Sequence, residues 1–595
     1  MRERNIFIGL ALISFLIVVL RAIHVPLFHD EVVTFNHFIK SGILSPFSEY
    51  RAANNHLTNS VLSRCFYLLF GDSPISLRLA NVLFFIPYCY FLFKLGLKLK
   101  SKWAKWGFYL SCLFSFQFVV FFALSRGYGI AFACVLASLY HLGNLVEKVT
   151  LKTLIYVMIF LIIGLFAFFS LLLFVMISIG VIGYSLYIQR NTIAKKQWVG
   201  ISVFLIMFLS AIGFAVYVLF YYKGYGILWF GFLEGFWRNT VQTLIQLIFV
   251  PGKFQFALEV LVILFSVLIL GVNIFHFKVK QLISKENIWF VFLFLNVFGI
   301  LLLAWIFEVN YPYQRTGLHL YLLFIGALCF AIDKLPSKIL RRVVLIPLFL
   351  IPMHYVVSFN LDYISLWVED TLPYSFYETM EKFEKEKPTE NRSSLYIEGT
   401  AISVWSYGVY KWYPSLPICS SNIDTNSRHY DYIIDRKQNM KSISHLYDSI
   451  DAQPFSDVRL YKRKKSVTKS LYKSFSFDSI KSDWDFKFSD FKTDSLNSSS
   501  LWFDFETEIK FLEYPVHVYL VFSAENPETH EKYSYKFIEF DRLIDWDKPN
   551  KLRYTEILND LPQDREIEIK VYLWNRYQVN YELDKSKLNI FQITD

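Results

Sequence analysis

Charge is what this chain has least of. Lys, Arg, Asp and Glu make up 18% of its 595 residues, against 54% hydrophobic and 19% aromatic, with a mean hydropathy of +0.37. That composition excludes a soluble protein of this size. The charge present is unevenly spread: long stretches between Asn5 and Phe359 carry almost none, whereas the remainder is dense in Lys, Asp, Glu and Ser. The formal net charge of +10 therefore describes no single surface. Lys and Arg on short connections report membrane topology, which argues against a nucleic-acid or acidic partner.

Cysteine is also scarce. The six thiols, Cys65, Cys89, Cys112, Cys134, Cys329 and Cys419, stand singly and form neither a disulfide framework nor a thiolate metal motif. No small-residue cleavage site follows the first apolar run, where Arg21-Ala-Ile-His24 stands, so that run reads as a retained helix rather than a signal peptide. There is no internal repeat. A P-loop, a Rossmann glycine fingerprint and an Asp-x-Asp motif are all missing from the connections between apolar runs, which argues against a nucleotide-sugar donor.

What the sequence does have is a series of apolar runs. A helix crossing a ~30 Å hydrocarbon core at ~1.5 Å per residue needs about 20 apolar residues. About 11 segments meet this, among them residues 5–23, 75–95, 106–124, 154–169 and 343–357. Basic clusters at Arg2 and Arg4, from Lys94 to Lys105, at Lys148 and Lys152, from Arg190 to Lys196, from Lys278 to Lys285 and from Lys334 to Arg342 all fall on one side of this arrangement. That side is cytoplasmic. The N-terminus is then cytoplasmic, while the connections 21–74, 223–255 and 308–317 and everything after Phe359 lie outside.

The expected fold is a mainly α-helical polytopic membrane domain over residues 1–358 followed by two extracytoplasmic modules. Residues 359–465 read as a small α/β module, with helical spacing up to Lys385 and short apolar strands at 394–398 and 430–434 flanking a helix. Residues 466–595 carry short alternating runs at 500–506, 516–522, 533–538 and 566–572 and read as a β-sandwich-like domain. Basic Lys462 to Lys465 reads as a surface linker between them.

The first external loop is unusually polar for its place. It opens with His29-Asp-Glu-Val-Val-Thr34 and continues through Ala53-Asn-Asn-His-Leu-Thr-Asn59 to Gly71-Asp-Ser73 and Ser76-Leu-Arg-Leu79. A loop of roughly 50 residues between two spans is usually functional. An Asp-Glu pair after the first helix, Asn-His about 25 residues on and a Leu-Phe-Gly-Asp-Ser segment leading into the second helix together resemble the GT-C superfamily of integral membrane glycosyltransferases. The likeness is to the branch containing protein O-mannosyltransferases and the lipid A aminoarabinose transferase, and covers roughly the first 150 residues. Ser125-Arg-Gly-Tyr-Gly129 is similar to the second external loop of many bacterial members, and Tyr311-Pro-Tyr-Gln-Arg-Thr316 to a late basic loop.

The resemblance implies an inverting transfer of a hexose or pentose from a polyprenyl-phosphate donor to an extracytoplasmic protein, lipid or glycan in a bacterial plasma membrane. It makes Asp30 the catalytic base, and transfer to a hydroxyl does need a proton acceptor. Glu31 would position the acceptor or assist a metal. The phosphate leaving group calls for cations, for which Arg126 and Arg315 are the candidates, joined by His56. Lys223, Arg238 and Lys253 are secondary. Asn55, beside Asn54, together with Tyr128 and Tyr313 completes the set as substrate-loop residues. His24, His29 and His37 with Asp30 follow no metal-ligand spacing, and a divalent metal is left open. The rival reading is a transporter or flippase of a lipid-linked glycan, which would carry ionisable residues inside its spans and broken helices in two matching halves. The sandwich-like tail departs from the family pattern, and nothing in its residues assigns it a role.

Overall fold

The computed structural model describes residues 2–48, 52, 55–228, 231–249, 254–276, 283–368, 370–386, 393–419, 428–493, 496–515, 517–540 and 548–594. The chain divides into two compact units, Met1–Val25 with Gly42–Leu366 and Pro26–Ser41 with Trp367–Asp595.

The first unit is helical. Among the described residues nine helices are long and apolar enough to cross a membrane, from Arg2–His24 to Lys338–Ser358. The chain is a multi-pass membrane protein. The run expected at 106–124 is not one straight span: Lys102–Leu113 and Phe116–Ala123 meet at 54°. Phe114, at φ −127° and ψ 39°, interrupts the helical ladder between them. Leu151–Ala167 is apolar but only 17 residues long. These two segments separate the expected count of about 11 from the nine. Several helices start on a side-chain cap: Ser73, Ser101, Thr150 and Ser337 each accept the backbone amide three residues on.

In the second unit, strands β1 (Leu395–Ile397), β2 (Tyr432–Arg436), β3 (Tyr447–Ala452) and β4 (Val458–Arg463) form a sheet in the order β1-β2-β4-β3. Strands β1 and β2 are parallel, and helix Ala401–Lys411 lies in the crossover between them. Strand β4 overturns one expectation. Lys462 and Arg463 pair with β2 and β3 instead of forming a linker, so the connection to the next strand starts at Lys464.

Strands β5 (Thr468–Phe477), β6 (Ile480–Ser482), β7 (Phe486–Thr493), β8 (Leu501–Phe511), β9 (Val518–Glu525), β10 (Lys532–Glu539), β11 (Asn550–Leu558), β12 (Ile567–Asn575) and β13 (Tyr581–Thr594) follow. They make two sheets, β10-β9-β12-β7 and β11-β8-β13-β5, with β6 on β13. Inward residues of both, such as Phe503, Phe522 and Leu573, share one core. A second buried layer, including Tyr430, Ile433, Trp502 and Ile557, joins the four-stranded sheet to the sandwich.

Nothing in the sequence pattern marks Pro26–Ser41 as part of this unit. Its aromatic residues explain the attachment. Phe28 stacks on Trp367 at 4.4 Å and 14°, and Phe35 meets Tyr407 edge-on at 5.8 Å. The His29 ring nitrogen Nδ1 lies 3.1 Å from the Thr400 carbonyl.

Candidate active site

Asp30 and Glu31 lie in the first turn of the short helix His29–Thr34. Glu31 is fully buried, and its Oε2 accepts the backbone amide of Phe28 at 3.4 Å. It therefore holds the chain at the turn into the helix. Asp30 is half-buried, and its backbone carbonyl accepts the Thr34 hydroxyl at 2.8 Å. The helix runs on into a π-turn, Phe35–Lys40, where the buried Lys40 ammonium sits 4.2 Å over the Tyr410 ring. All these groups belong to the second unit.

The first unit brings several other candidates together. Nδ1 of His56 lies 2.6 Å from the Ala167 carbonyl. A carbonyl only accepts, so Nδ1 carries a proton. The ring packs 5.1 Å from Tyr128. Gly127, next to Arg126, permits this approach: a Cβ there would stand 1.9 Å from the Ala167 oxygen and 3.0 Å from His56 Nδ1. Arg126 itself is buried, at 2% exposure. Its chain neighbour Ser125 belongs to a polar network that the sequence reading missed. Asn81 donates to Asn59 at 2.5 Å and accepts the Ile130 amide at 3.2 Å, Asn59 reaches Ser125 at 3.5 Å, and Ser60 donates to Asn55 at 2.8 Å. Asn59 and Asn81 are fully buried.

His319 was also missed, because it falls at the start of an apolar run. It is buried, neither ring nitrogen has a hydrogen-bond partner among the described residues, and Phe168 stands against both it and His56, at 6.5 and 6.3 Å. Polar groups cost free energy in an apolar interior, and ionisable ones buried among membrane helices mark functional sites by default.

Tyr313 and Arg315 lie in the same unit, on a turn whose Gln314 amide donates to the Thr243 hydroxyl at 2.9 Å. Thr243 belongs to a helix covering residues 237–249, inside the connection expected to be a loop. The two faces of this helix line different spaces. One closes an apolar cavity of about 400 Å³ with residues of the spans, among them Leu261, Phe265, Phe294 and Phe324. The other lines a polar pocket of about 270 Å³ containing Asn239, Gln242, Thr243, Gln246, Arg238 and Tyr313. Phe232 and Tyr313 meet edge-on at 5.6 Å in its wall. Arg238 pairs with Glu234 at 3.0 Å, and Gln242 is held by Glu259 at 3.1 Å. The signal was available in the sequence: Asn239, Gln242 and Gln246 recur at helical spacing in an apolar stretch. Lys223 is exposed, while Asn54 and Lys253 fall outside the described residues.

Among the described residues, one group of side chains lies close enough to hold a metal ion, Glu525, His530 and Glu568 in the sandwich. The Lys570 ammonium already pairs with both carboxylates. None of the residues expected at the active site belongs to this group.

No protein-family profile and no curated protein matches the chain. Solved structures similar to it include two of one transferase. ArnT from Cupriavidus metallidurans bound to undecaprenyl phosphate is 9% identical, over 77% of this chain and 98% of that one, with a TM-score of 0.32. The apo state of ArnT is 10% identical, over 77% and 97% of the two chains, with a TM-score of 0.34.

Proposed function

We propose that the chain is a membrane glycosyltransferase that moves a sugar from a polyprenyl-phosphate carrier to an extracytoplasmic acceptor. The observation that carries this reading is the arrangement of two spaces on one helix, an apolar cavity lined by spans on one face and an amide-rich pocket on the other. A polyprenyl-phosphate sugar has the same division, with a long hydrocarbon on one side and a charged, hydroxyl-bearing head on the other. The hydrocarbon gains from the apolar cavity at about 25 cal/mol per Å² buried. Amides and the Tyr313 hydroxyl suit sugar hydroxyls, since each both donates and accepts.

In the reaction, the acceptor's hydroxyl oxygen attacks the anomeric carbon while the bond from that carbon to the phosphate oxygen breaks. Its proton passes to the Asp30 carboxylate, and the polyprenyl phosphate departs with the bonding pair. A single displacement inverts the anomeric configuration. Arg126 and Arg315 offset the charge growing on the phosphate, with His56 donating to it or ordering the loop. Asn55 and Tyr128 shape that loop. Glu31 keeps Asp30 oriented through the Phe28 amide. The N-terminus is cytoplasmic, and the α/β and sandwich modules are extracytoplasmic.

The test is transfer of radiolabel from polyprenyl-phosphate sugars to cell-envelope acceptors by the purified chain. Asp30→Asn is expected to lower turnover by about 10²–10⁴-fold, the usual contribution of a general base. Equal turnover by wild type and variant would remove the mechanism.

A further inference from the structure

One sheet of the sandwich carries aromatic rings where solvent-facing residues belong. In the sheet β10-β9-β12-β7, Val518, Leu520, Phe522 and Ala524 of β9 and Ile567, Ile569, Val571 and Leu573 of β12 face the core. Side chains alternate along a strand, so the residues between them face outward, where a one-sided sheet is normally polar. The register sets them in rows. Glu539, Tyr519 and Trp574 form the first, Phe537, Val521 and Tyr572 the second, and Tyr535, Ser523 and Lys570 the third. Glu525 and Glu568 stand opposite each other beyond. Three rows thus hold five aromatic side chains.

These rings are fixed in place. Tyr519 lies 5.3 Å from Trp574 and 5.4 Å from Phe537, and its hydroxyl is 2.6 Å from His517. Val521, although on the outer face, is wholly covered. Trp574 remains 37% exposed. A ligand that stacks here orders little, which keeps the entropic cost of binding low.

Charged groups stand beside the rings. Lys570 pairs with Glu525 and lies 2.7 Å from Glu568, and Lys487 lies 2.6 Å from Asp490. Residues paired directly across neighbouring strands share a face, which adds Lys492 opposite Glu568 and Lys532 opposite Glu525. The face then holds four carboxylates, of Asp490, Glu525, Glu539 and Glu568, and four ammonium groups, of Lys487, Lys492, Lys532 and Lys570. A balanced field steers neither polyanion nor polycation. The centre of a protein interface is depleted of charge, whereas Lys570 and its two carboxylates adjoin the rings directly. What matches rings flanked by neutralised hydrogen-bonding groups is an uncharged molecule with an apolar C–H face and a hydroxyl rim.

We propose that this face binds a neutral glycan, with sugar rings lying on Trp574, Tyr519 and Tyr572 and hydroxyls bonded by Lys570 and Glu568. At ~3.3 Å per residue, the rows from Tyr519 to Glu525 extend about 20 Å, room for an oligosaccharide rather than one sugar. The site is separate from the transfer reaction and stands whether or not that reaction occurs.

The experiment titrates the full chain in detergent with cellohexaose, laminarihexaose, maltohexaose and N-acetylated chitohexaose, with hexagalacturonate as the anionic comparison. Binding of at least one neutral hexasaccharide is expected. Trp574→Ala should weaken it about tenfold, the loss of one stacked ring, while Trp574→Phe keeps most of it and Leu471→Ala, on the other sheet, leaves it unchanged. The proposal is overturned if no neutral sugar binds at millimolar concentration, if only hexagalacturonate binds, or if Trp574→Ala and Tyr572→Ala bind as wild type does. Loss from Trp574→Ala of a protein that co-purifies with wild type, with no sugar bound by either, would make the face a protein contact and overturn it too.

Discussion

At the scale of single residues, the membrane unit depends on a close approach that only glycine allows. Gly127 lies against the Ala167 backbone, and a Cβ would overlap the carbonyl oxygen at 1.9 Å with no flexible side chain to yield. Gly127→Ala is therefore expected to destabilise the chain by about 1–3 kcal/mol, the usual cost of overpacking, and to displace His56 from the Ala167 carbonyl. Thermal unfolding in detergent checks this, with Gly213→Ala as the comparison, since nothing lies within 4 Å of a Cβ at that position. Gly213→Ala should be neutral or slightly stabilising, because alanine is the better helix former.

At the scale of elements, two predictions follow from packing. The apolar cavity is walled by Leu261 on helix Gln255–Phe275. Leu261→Trp fills part of it, so KM should rise for a long-chain polyprenyl donor and change little for a short-chain analogue, with kcat preserved. Steady-state kinetics with the two donors separates these outcomes. In the α/β module, strand β2 holds Asp435, whose carboxyl is pushed up to about 7 by burial and by its hydrogen bond with Glu398. Asn439 bridges the pair, at 2.6 Å from Glu398 and 2.8 Å from Asp435. The folded value lies above the unfolded one of 3.8, so the folded module binds this proton more tightly. Its stabilisation is complete below about pH 4 and is lost as pH rises through 7. Hydrogen exchange of Tyr432–Arg436, corrected for intrinsic rate, should show more protection at pH 5 than at pH 8, and Asp435→Asn should flatten the difference.

At the scale of the whole molecule, the basic clusters predict an orientation that labelling checks. Thr400→Cys, in the α/β module, is expected to react with an impermeant thiol reagent applied to the extracytoplasmic side of sealed vesicles. Lys196→Cys, at the start of helix Lys195–Gly224, is expected to react only after the vesicles are opened. The reverse pattern would invert the topology and place the proposed transfer on the cytoplasmic side.

Hydropathy alone determined that the chain crosses the membrane many times, because about 20 apolar residues in a row have few other places to go. Alternation alone located four of the nine sandwich strands: the runs at 500–506, 516–522, 533–538 and 566–572 fall largely within β8, β9, β10 and β12. Candidate groups with strong local chemistry, such as Asp30 and Arg126, were equally visible. Only the tertiary structure decided which of them meet. Asn59 meets Asn81 and Ser125, and Phe168 stands against both His56 and His319, through contacts between residues far apart in the chain that no local pattern encodes. The same holds for Pro26–Ser41, a loop by sequence, which Phe28 and Phe35 bind to a module that begins more than 300 residues later. Hydrophobic burial is non-directional, so a ring shows in the sequence that it must be buried but not against what.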